Sequence, residues 1–327
     1  MKKYIWLLLA ITLTACGSGG TSSPAPTPIT KTLQDFGVPN GGEITQAAAD
    51  KAAAFFAGQD GGITVYGDYT IKGDIHIPRT IALMGLSTLT AHITGPGTFA
   101  YIIPTGPPST TSQTFAYSNI TFTRVGLRYG ETVNDYGVGA LVTGCDFTGG
   151  GDNFGTGGIP LLIEFIHNTW NTQVSNNRMR GFQTAVKYNL AAAGPGSGSS
   201  NKITDNVIDS GSIGIFVAGP SIDGTSIMSA RNNLEHLDIA IKTTNGGDGL
   251  FASDSDHLEL NRIAHVDSDG PKIDINSPWA WDNNTDYPAF VFFKMHNADI
   301  VVHGGRLQYT LGKLFESTGT GQLTILP

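Results

Sequence analysis

The hydrophobic residues of this chain fall in short runs separated by Asn, Asp, Ser and Gly. The segment SNKITDNVIDSGSIGIFVAG, residues 200–219, is typical, because Ile213, Ile215 and Val217 occupy every second position. No run is long enough to form a helix face, whereas the alternation matches the period of a strand with one buried side. The pattern predicts short strands joined by tight polar corners.

The alternating segments recur in a common register. VSNNRM, ITDNVI, SARNNL and LELNRI each carry an Asn followed two residues later by an apolar side chain. These residues are Asn177, Asn206, Asn232 and Asn261, at steps of 29, 26 and 29. A unit of several short strands, each paired with its equivalent in the next unit, is a parallel β-solenoid. We expect the Asn amides to stack at one corner and to bond to backbone groups and to each other.

The register and the N-terminal segment resemble the right-handed parallel β-helix of the pectate-lyase-like superfamily, with its asparagine ladder. LQDFGVPNGGEITQAAADKAAAFF, followed by GGITVYGDYTIKGDIHIPRTIALMG, is similar to the superfamily's opening, a short helix before the first coils. Thr45 can cap a helix from Gln46 to about Phe56, stopped by Gly58. The resemblance implies an all-β fold, a right-handed parallel β-helix with a short N-terminal capping helix, and an extended polysaccharide as partner.

The first 31 residues differ from this pattern. A basic start, an apolar run over 4–13 and LTAC ending at Cys16 resemble the lipobox signal of bacterial lipoproteins. The alternative is an ordinary secretory signal in which Cys16 is incidental. We expect a signal peptide at 1–15, a Gly/Ser/Pro tether at 16–31 and one β-helix domain at 32–327. The protein would be exported and held by lipid on Cys16, with the outer membrane as the expected location, facing the periplasm or the outside.

Composition and charge narrow the set of partners. The chain has 43 Gly and 16 Pro, with 14% charged and 40% hydrophobic residues, which is too apolar for disorder and too rich in turn formers for a helical protein. Its net charge of -8 and the lack of a basic stripe argue against a nucleic-acid partner. If Cys16 is lipidated, Cys145 is the only remaining thiol. Cys145 takes the Asn place in VTGCDF, and we expect it in the core rather than as a nucleophile.

The register predicts which polar side chains are neighbours. Counting from each ladder Asn, with rungs about 4.8 Å apart, it predicts one patch with Arg180 at its edge. The patch comprises Asp209, Glu235, His236, Asp238, His265 and Asp267. Carboxylates one rung apart suit a retaining glycosidase; alternatively they hold Ca²⁺ for a lyase, and either His transfers protons. The same residues can instead cover a solvated face, with Arg180 and Asp209 as a charge pair.

Two further segments carry candidate binding groups. Asp254, Asp256 and Asp269 belong to Asp-x-Asp pairs that can supply oxygen ligands to Ca²⁺, although Asx turns at coil corners explain the same residues more simply. The segment PWAWDNNTDYPAF interrupts the coil rhythm. Its Trp279 and Trp281, extended by Tyr287, can stack on sugar rings or cover apolar core as a lid.

The catalytic motifs of several enzyme classes are missing from the sequence. It has no Walker A loop, HExxH helix or GxSxG elbow, and none of the clustered motifs of polygalacturonases. Two functions therefore stay open. The first is a polysaccharide lyase or glycoside hydrolase, and the second is a non-catalytic glycan-binding surface protein, such as an adhesin or a tailspike-like module.

Overall fold

A computed structural model gives the structure of the chain. The residues it describes are 29–57, 61–105, 115–131, 139–166, 169–190, 200–219, 226–244, 250–270, 272–281, 287, 289–308 and 313–327. The predicted signal peptide, Cys16 and most of the tether lie outside them, as does Gly58. The first strand begins at Ile29, so the folded part includes the last residues assigned above to the tether. Neither helix of the described ranges has the length and apolar character to cross a membrane.

The strands of the described residues all pair in parallel. In chain order they are β1 (Ile29–Thr32), β2 (Gly61–Val65), β3 (Gly67–Thr70), β4 (Ile75–Pro78), β5 (Ile81–Gly85), β6 (Ala91–Thr94), β7 (Ala100–Thr105), β8 (Phe115–Ser118), β9 (Thr121–Thr123), β10 (Val125–Tyr129), β11 (Ala140–Thr143), β12 (Asp146–Thr148), β13 (Ile159–Ile166), β14 (Gln173–Ser175), β15 (Arg178–Asn189), β16 (Asn201–Thr204), β17 (Val207–Ala218), β18 (Ser226–Ala230), β19 (Asn233–Thr244), β20 (Leu250–Asp254), β21 (His257–Glu259), β22 (Ala264–Asp269), β23 (Lys272–Asn276), β24 (Trp279–Trp281), β25 (Val291–His296), β26 (Ile300–His303), β27 (Arg306–Gln308), β28 (Lys313–Thr318) and β29 (Leu323–Leu326).

The strands wind into a right-handed parallel β-helix, as predicted. One sheet runs through β1, β2, β5, β8, β11, β14, β16, β18, β20, β23, β26 and β29, with one strand from each successive coil. The other 17 strands form a second sheet that wraps the remaining sides. Each strand therefore pairs with its equivalent in the next coil, which is the arrangement that the repeat predicts.

The core is built from inward side chains that stack on their equivalents in the next coil. Phe122 stacks on Phe147 with ring centroids 5.0 Å apart. A second stack comprises Tyr129, Phe165 and Tyr188 over three coils, with ring centroids 5.0 and 4.8 Å apart. Because every second residue points inward, the alternation in the sequence becomes a continuous buried column.

A helix closes the N-terminal end of this column. Helix α1 (Gln46–Phe55) begins after Thr45, whose Oγ1 accepts a hydrogen bond from the Ala48 backbone N–H at 3.3 Å. Its Ala48, Ala49 and Ala52 face the core, and a short 3-10 helix (Leu33–Phe36) packs beside it. The predicted cap is confirmed. It buries apolar side chains that the first coil would otherwise expose.

The asparagine ladder is confirmed over three of the four predicted positions. The Asn206 side-chain oxygen accepts hydrogen bonds from the Asn177 backbone N–H at 2.9 Å and from its amide at 3.0 Å, and Asn232 does the same for Asn206. Cys145 begins the ladder, since its backbone N–H donates to Asn177 Oδ1 at 2.9 Å.

The fourth predicted position is wrong. The next acceptor after Asn232 is Asp256, 24 residues on, whose Oδ1 lies 2.7 Å from the Asn232 backbone N. Asn261 instead serves the following corner, where it accepts from the Leu237 backbone N–H at 3.0 Å. The predicted step of 29 residues is therefore five too long, and every neighbour inferred from it moves.

The corners depend on left-handed backbone. The residue before each ladder position has a positive φ, as in Asn176, Asp205, Arg231 and Ser255. A second corner bends the three long strands β15, β17 and β19 at Gly181, Ser210 and His236, with φ of 68°, 59° and 52°. Positive φ is uncommon for residues other than Gly, Asn, Asp and His. Arg231, Ser255 and Ser210 nevertheless adopt it at the corners of the coils.

Candidate functional site

Two parallel rows of outward side chains run along one side of the solenoid, just after the ladder corner. The first row comprises Asp146, Arg178, Val207, Asn233, His257, Trp279 and Arg306. The second row comprises Thr148, Arg180, Asp209, Glu235, Glu259, Trp281 and Gln308. We call the surface formed by both rows the polar face. Successive members of a row stand about 4.8 Å apart, which is the spacing of paired strands.

The centre of the polar face carries three carboxylates on consecutive rungs. Asp209 pairs in register with Glu235, and Glu235 with Glu259, and all three side chains are half-buried. Two unit charges about 5 Å apart repel by about 3 kcal/mol at an effective dielectric constant near 20. Such a row needs nearby donors or a ligand to be stable in the ionised form.

Each carboxylate has a neighbouring side chain that offsets part of this repulsion. His236 Nδ1 lies 3.1 Å from Asp209 Oδ1, and His257 Nε2 lies 3.0 Å from Glu259 Oε2. The Asn233 amide donates to Glu235 Oε1. Two imidazoles thus flank the row, one from the second corner and one from the first row.

Two indole rings follow the carboxylates on the next rung. Trp279 is 48% exposed and stacks on the His257 ring with centroids 4.9 Å apart. Trp281 lies beside Glu259 in register, and the Arg306 guanidinium is 6.0 Å from its ring centroid. These tryptophans belong to strand β24, so the coil rhythm continues through them and the predicted interruption can begin only after Trp281.

In the described part of the chain, Tyr287 makes no contact with these two indoles. Its ring packs edge-on against Phe154 at 5.8 Å and is partly buried against the core. The Arg262 guanidinium lies over the Phe154 ring at 4.4 Å and forms an ion pair of 2.6 Å with Asp238. Asp238 also accepts a hydrogen bond from Ser212 on the preceding rung. This cluster joins a loop to the coils, and the Asp238 charge is compensated within it.

His265 and Asp267 are not on the polar face, contrary to the predicted patch. His265 is fully buried, with Nδ1 2.9 Å from the Asn261 amide nitrogen and its ring against Phe290 and Phe292. Asp267 lies on another side of the solenoid, in register between Lys242 and Lys294. The strand that carries both residues pairs with β19 at a step of 25, Lys242 with Asp267, instead of the predicted 29, which moves them along the coil.

The three predicted calcium ligands do not converge. Asp256 is buried in the ladder, where the Ser229 and Ser253 hydroxyls donate to it at 2.6 and 2.7 Å. Burial raises the pKa of Asp256 above its ordinary value. Asp254 is exposed at the end of β20, and Asp269 pairs in register with His296. Within the described ranges, no three His, Cys, Asp or Glu side chains are grouped to hold a metal ion.

Cys145 lies in the core at the ladder corner. It is buried, and burial raises the pKa of its thiol to about 12. A thiol with so high a pKa is almost entirely protonated at neutral pH and is a poor nucleophile.

Two residues of the site, His257 and Glu259, escaped the sequence analysis. The signal was present, because SARNNLE (229–235) and SDSDHLE (253–259) match at Ser, Leu and Glu, with Asp256 in the place of Asn232. An Asp oxygen accepts the ladder hydrogen bonds as an Asn oxygen does. A search restricted to Asn therefore skips this coil.

No protein-family model and no curated protein sequence matches the chain. Among solved structures, the enzymatically active domain of tailspike protein 2 from bacteriophage CBA120 is similar, with 9% identity and a TM-score of 0.53. The match covers 93% of this chain and 46% of the tailspike domain, so this chain spans about half the length of that domain.

Two further matches have lower TM-scores. The Agl-KA catalytic domain has 13% identity and a TM-score of 0.44, over 93% of this chain and 69% of its own. A family 28 exopolygalacturonase from Yersinia enterocolitica has 13% identity and a TM-score of 0.37, over 92% and 78%. At these identities the likeness concerns the fold alone.

Proposed function

We propose that the chain is a glycoside hydrolase that binds an extended polysaccharide along the polar face. The observation that carries the proposal is the row Asp209, Glu235 and Glu259, followed on the next rung by Trp279 and Trp281. Carboxylates supply the nucleophile and the acid in glycoside hydrolysis, and exposed indoles stack on sugar rings. A solenoid repeats such groups at a fixed spacing, which suits a polymer with its own repeat.

We assign the reaction to Glu235 and Glu259. Adjacent rungs bring their carboxyl groups to about 5 Å, the separation of the retaining mechanism. In this assignment Glu259, next to His257, protonates the glycosidic oxygen while Glu235 attacks the anomeric carbon. Glu259 then takes a proton from the water that releases the sugar. His257 and Trp279 orient Glu259 from the first row.

The proposal is tested by product formation. Purified protein lacking residues 1–28 is incubated with neutral and acidic polysaccharides, with and without chelator, following reducing ends and absorbance at 235 nm. We expect reducing ends without 235 nm absorbance. Glu235→Gln and Glu259→Gln should each lower the rate by at least about a hundredfold, while Glu316→Gln, an exposed carboxylate of β28, should leave it unchanged. An increase in absorbance at 235 nm that depends on Ca²⁺ would contradict the hydrolase proposal and indicate a lyase.

A second candidate function is glycan binding without cleavage, as in an adhesin. It is favoured by the partners that each carboxylate of the row already has, because partnered side chains also suit a solvated face. This function requires binding that survives Glu235→Gln and Glu259→Gln, and no product from any polymer.

We also propose, from the sequence, that the protein is exported and anchored by lipid on Cys16. The tether after it would hold the solenoid away from the membrane, where a polymer can lie along the polar face.

A further inference from the structure

The polar face has a graded composition along the solenoid axis. Arg178 and Arg180 share one rung at the N-terminal side of the carboxylates, and Trp279 and Trp281 share one rung at the C-terminal side. Arg180 and Trp281 are four rungs apart in register, or about 19 Å. Glu235 is two rungs from each, about 10 Å, and so occupies the middle.

The two guanidinium groups differ from other arginines of the fold. Arg128, Arg231 and Arg262 each form an ion pair with a carboxylate at 3.0 Å or less. Arg178 and Arg180 are exposed and have no ion pair among the described residues, although Asp146 and Asp209 are their register neighbours. Among the described residues, Arg180 Nε donates a hydrogen bond to an uncharged acceptor, Thr148 Oγ1, at 3.3 Å.

Two such side chains on one rung suit an anion. Residues i and i+2 of a strand point to the same side, about 7 Å apart, so both forks can reach one anionic group between them. A planar guanidinium matches carboxylate, sulfate or phosphate oxygens in pairs. A neutral sugar would leave both forks without a charged partner.

The acidic row, which begins at Asp209 on the next rung and is centred on Glu235 two rungs away, imposes the opposite demand. A uniformly anionic polymer would place negative groups against Asp209, Glu235 and Glu259, where like charges repel at close range. The indole rung beyond them suits an uncharged sugar face. The charges along the face therefore match a chain in which charged and neutral sugars alternate over about 10 Å, and match a polyuronide poorly.

We infer that Arg178 and Arg180 form an anion subsite, and that the ligand is an acidic heteropolysaccharide with an anionic unit about 10 Å from the bond held over Glu235 and Glu259. The position of that bond rests on the proposed function, whereas the anion subsite is a binding property and can be measured without cleavage.

The test compares binding to four polymers. They are dextran, dextran with sparse carboxymethyl groups, dextran with sparse sulfate groups, and polygalacturonate, each in affinity electrophoresis with Glu259→Gln protein to exclude turnover. We expect the sparsely charged dextrans to bind about tenfold more tightly than dextran, and polygalacturonate no more tightly than dextran. A preference for carboxymethyl identifies a uronate, and a preference for sulfate identifies a sulfated sugar; both support the subsite.

The double variant Arg178→Gln/Arg180→Gln should reduce binding of the charged dextrans to the level of dextran. Lys202→Gln, an exposed cation on β16 of the other sheet, is the matched control and should change nothing. If the double variant fails to fold, added salt should still abolish the preference in Glu259→Gln protein.

The inference would be overturned if Arg178→Gln/Arg180→Gln and Lys202→Gln changed binding of the charged dextrans equally, or if polygalacturonate bound most tightly of the four polymers. If the protein released no product but still bound the charged dextrans more tightly through Arg178 and Arg180, the proposed reaction would be refuted and the anion subsite would be supported.

Discussion

Asn206→Ala tests whether the ladder holds the coils together. The Asn206 side chain lies in the middle of the ladder and makes four hydrogen bonds. Its oxygen accepts two from Asn177, and its amide donates to Val174 O at 3.0 Å and to Asn232 Oδ1 at 2.9 Å. Alanine removes all four at a buried site.

The expected loss follows from the groups left behind. The Asn177 backbone N–H loses its recorded acceptor, which costs about 1–3 kcal/mol for a buried donor. The Asn177 amide keeps Val142 O as a partner, and Asn232 Oδ1 keeps the Asn206 backbone N–H, so these losses are smaller. With about 0.5–1.5 kcal/mol for each remaining bond and some relaxation, we expect a decrease of about 3–5 kcal/mol in the free energy of unfolding.

Urea unfolding followed by far-UV circular dichroism measures this decrease. Gln183→Ala is the control, since Gln183 is an exposed amide on β15, and it should change the free energy by less than about 0.5 kcal/mol. If Asn206→Ala cost no more than the control, hydrogen bonding along the ladder would contribute nothing net, and the coils would be held by apolar stacking alone.

Three further changes test other parts of the structure. Because burial raises the pKa of Asp256, its ionisation costs stability as pH rises through that pKa; Asp256→Asn should therefore gain on the wild type in urea unfolding as pH rises above about 4, and a constant difference would contradict this. The Cys145 thiol, with a pKa raised to about 12, should react with a thiol reagent at neutral pH only after denaturant is added; prompt labelling of native protein would contradict its burial. Trp279→Ala should weaken glycan binding about five- to tenfold in affinity electrophoresis, and unchanged binding would remove the indole rung from the site.

The sequence alone predicted the solenoid because its signals are local and repeated. The alternation in residues 213–217 fixes which side chains are buried in one strand, and the Asn pattern fixes where each coil turns. Each coil contacts mainly its neighbours, so a correct unit predicts the whole fold. The helix from Gln46 could be predicted for the same reason, since Thr45 and the alanines that follow it lie within a few residues of each other.

The candidate site was only partly predictable, because it depends on register between coils of unequal length. Arg180, Asp209 and Glu235 were predicted as neighbours, and the structure pairs them as expected. Beyond Asn232 the sequence offers two ladder candidates of similar chemistry, Asp256 and Asn261, and the local match that favours Asp256 becomes visible only when Asp is allowed in the ladder position.

Only the tertiary structure decided between these two residues. The strand after the corner pairs with β19 at a step of 25 residues, Lys242 with Asp267, instead of the predicted 29, so the residues expected beside His236 and Asp238 lie further along the coil. His265, predicted on the surface, is in the core, and Glu259 joins the carboxylate row. The sequence determined the kind of coil and its hydrogen-bonded corner, whereas pairing between coils decided which carboxylates, imidazoles and indoles share one face.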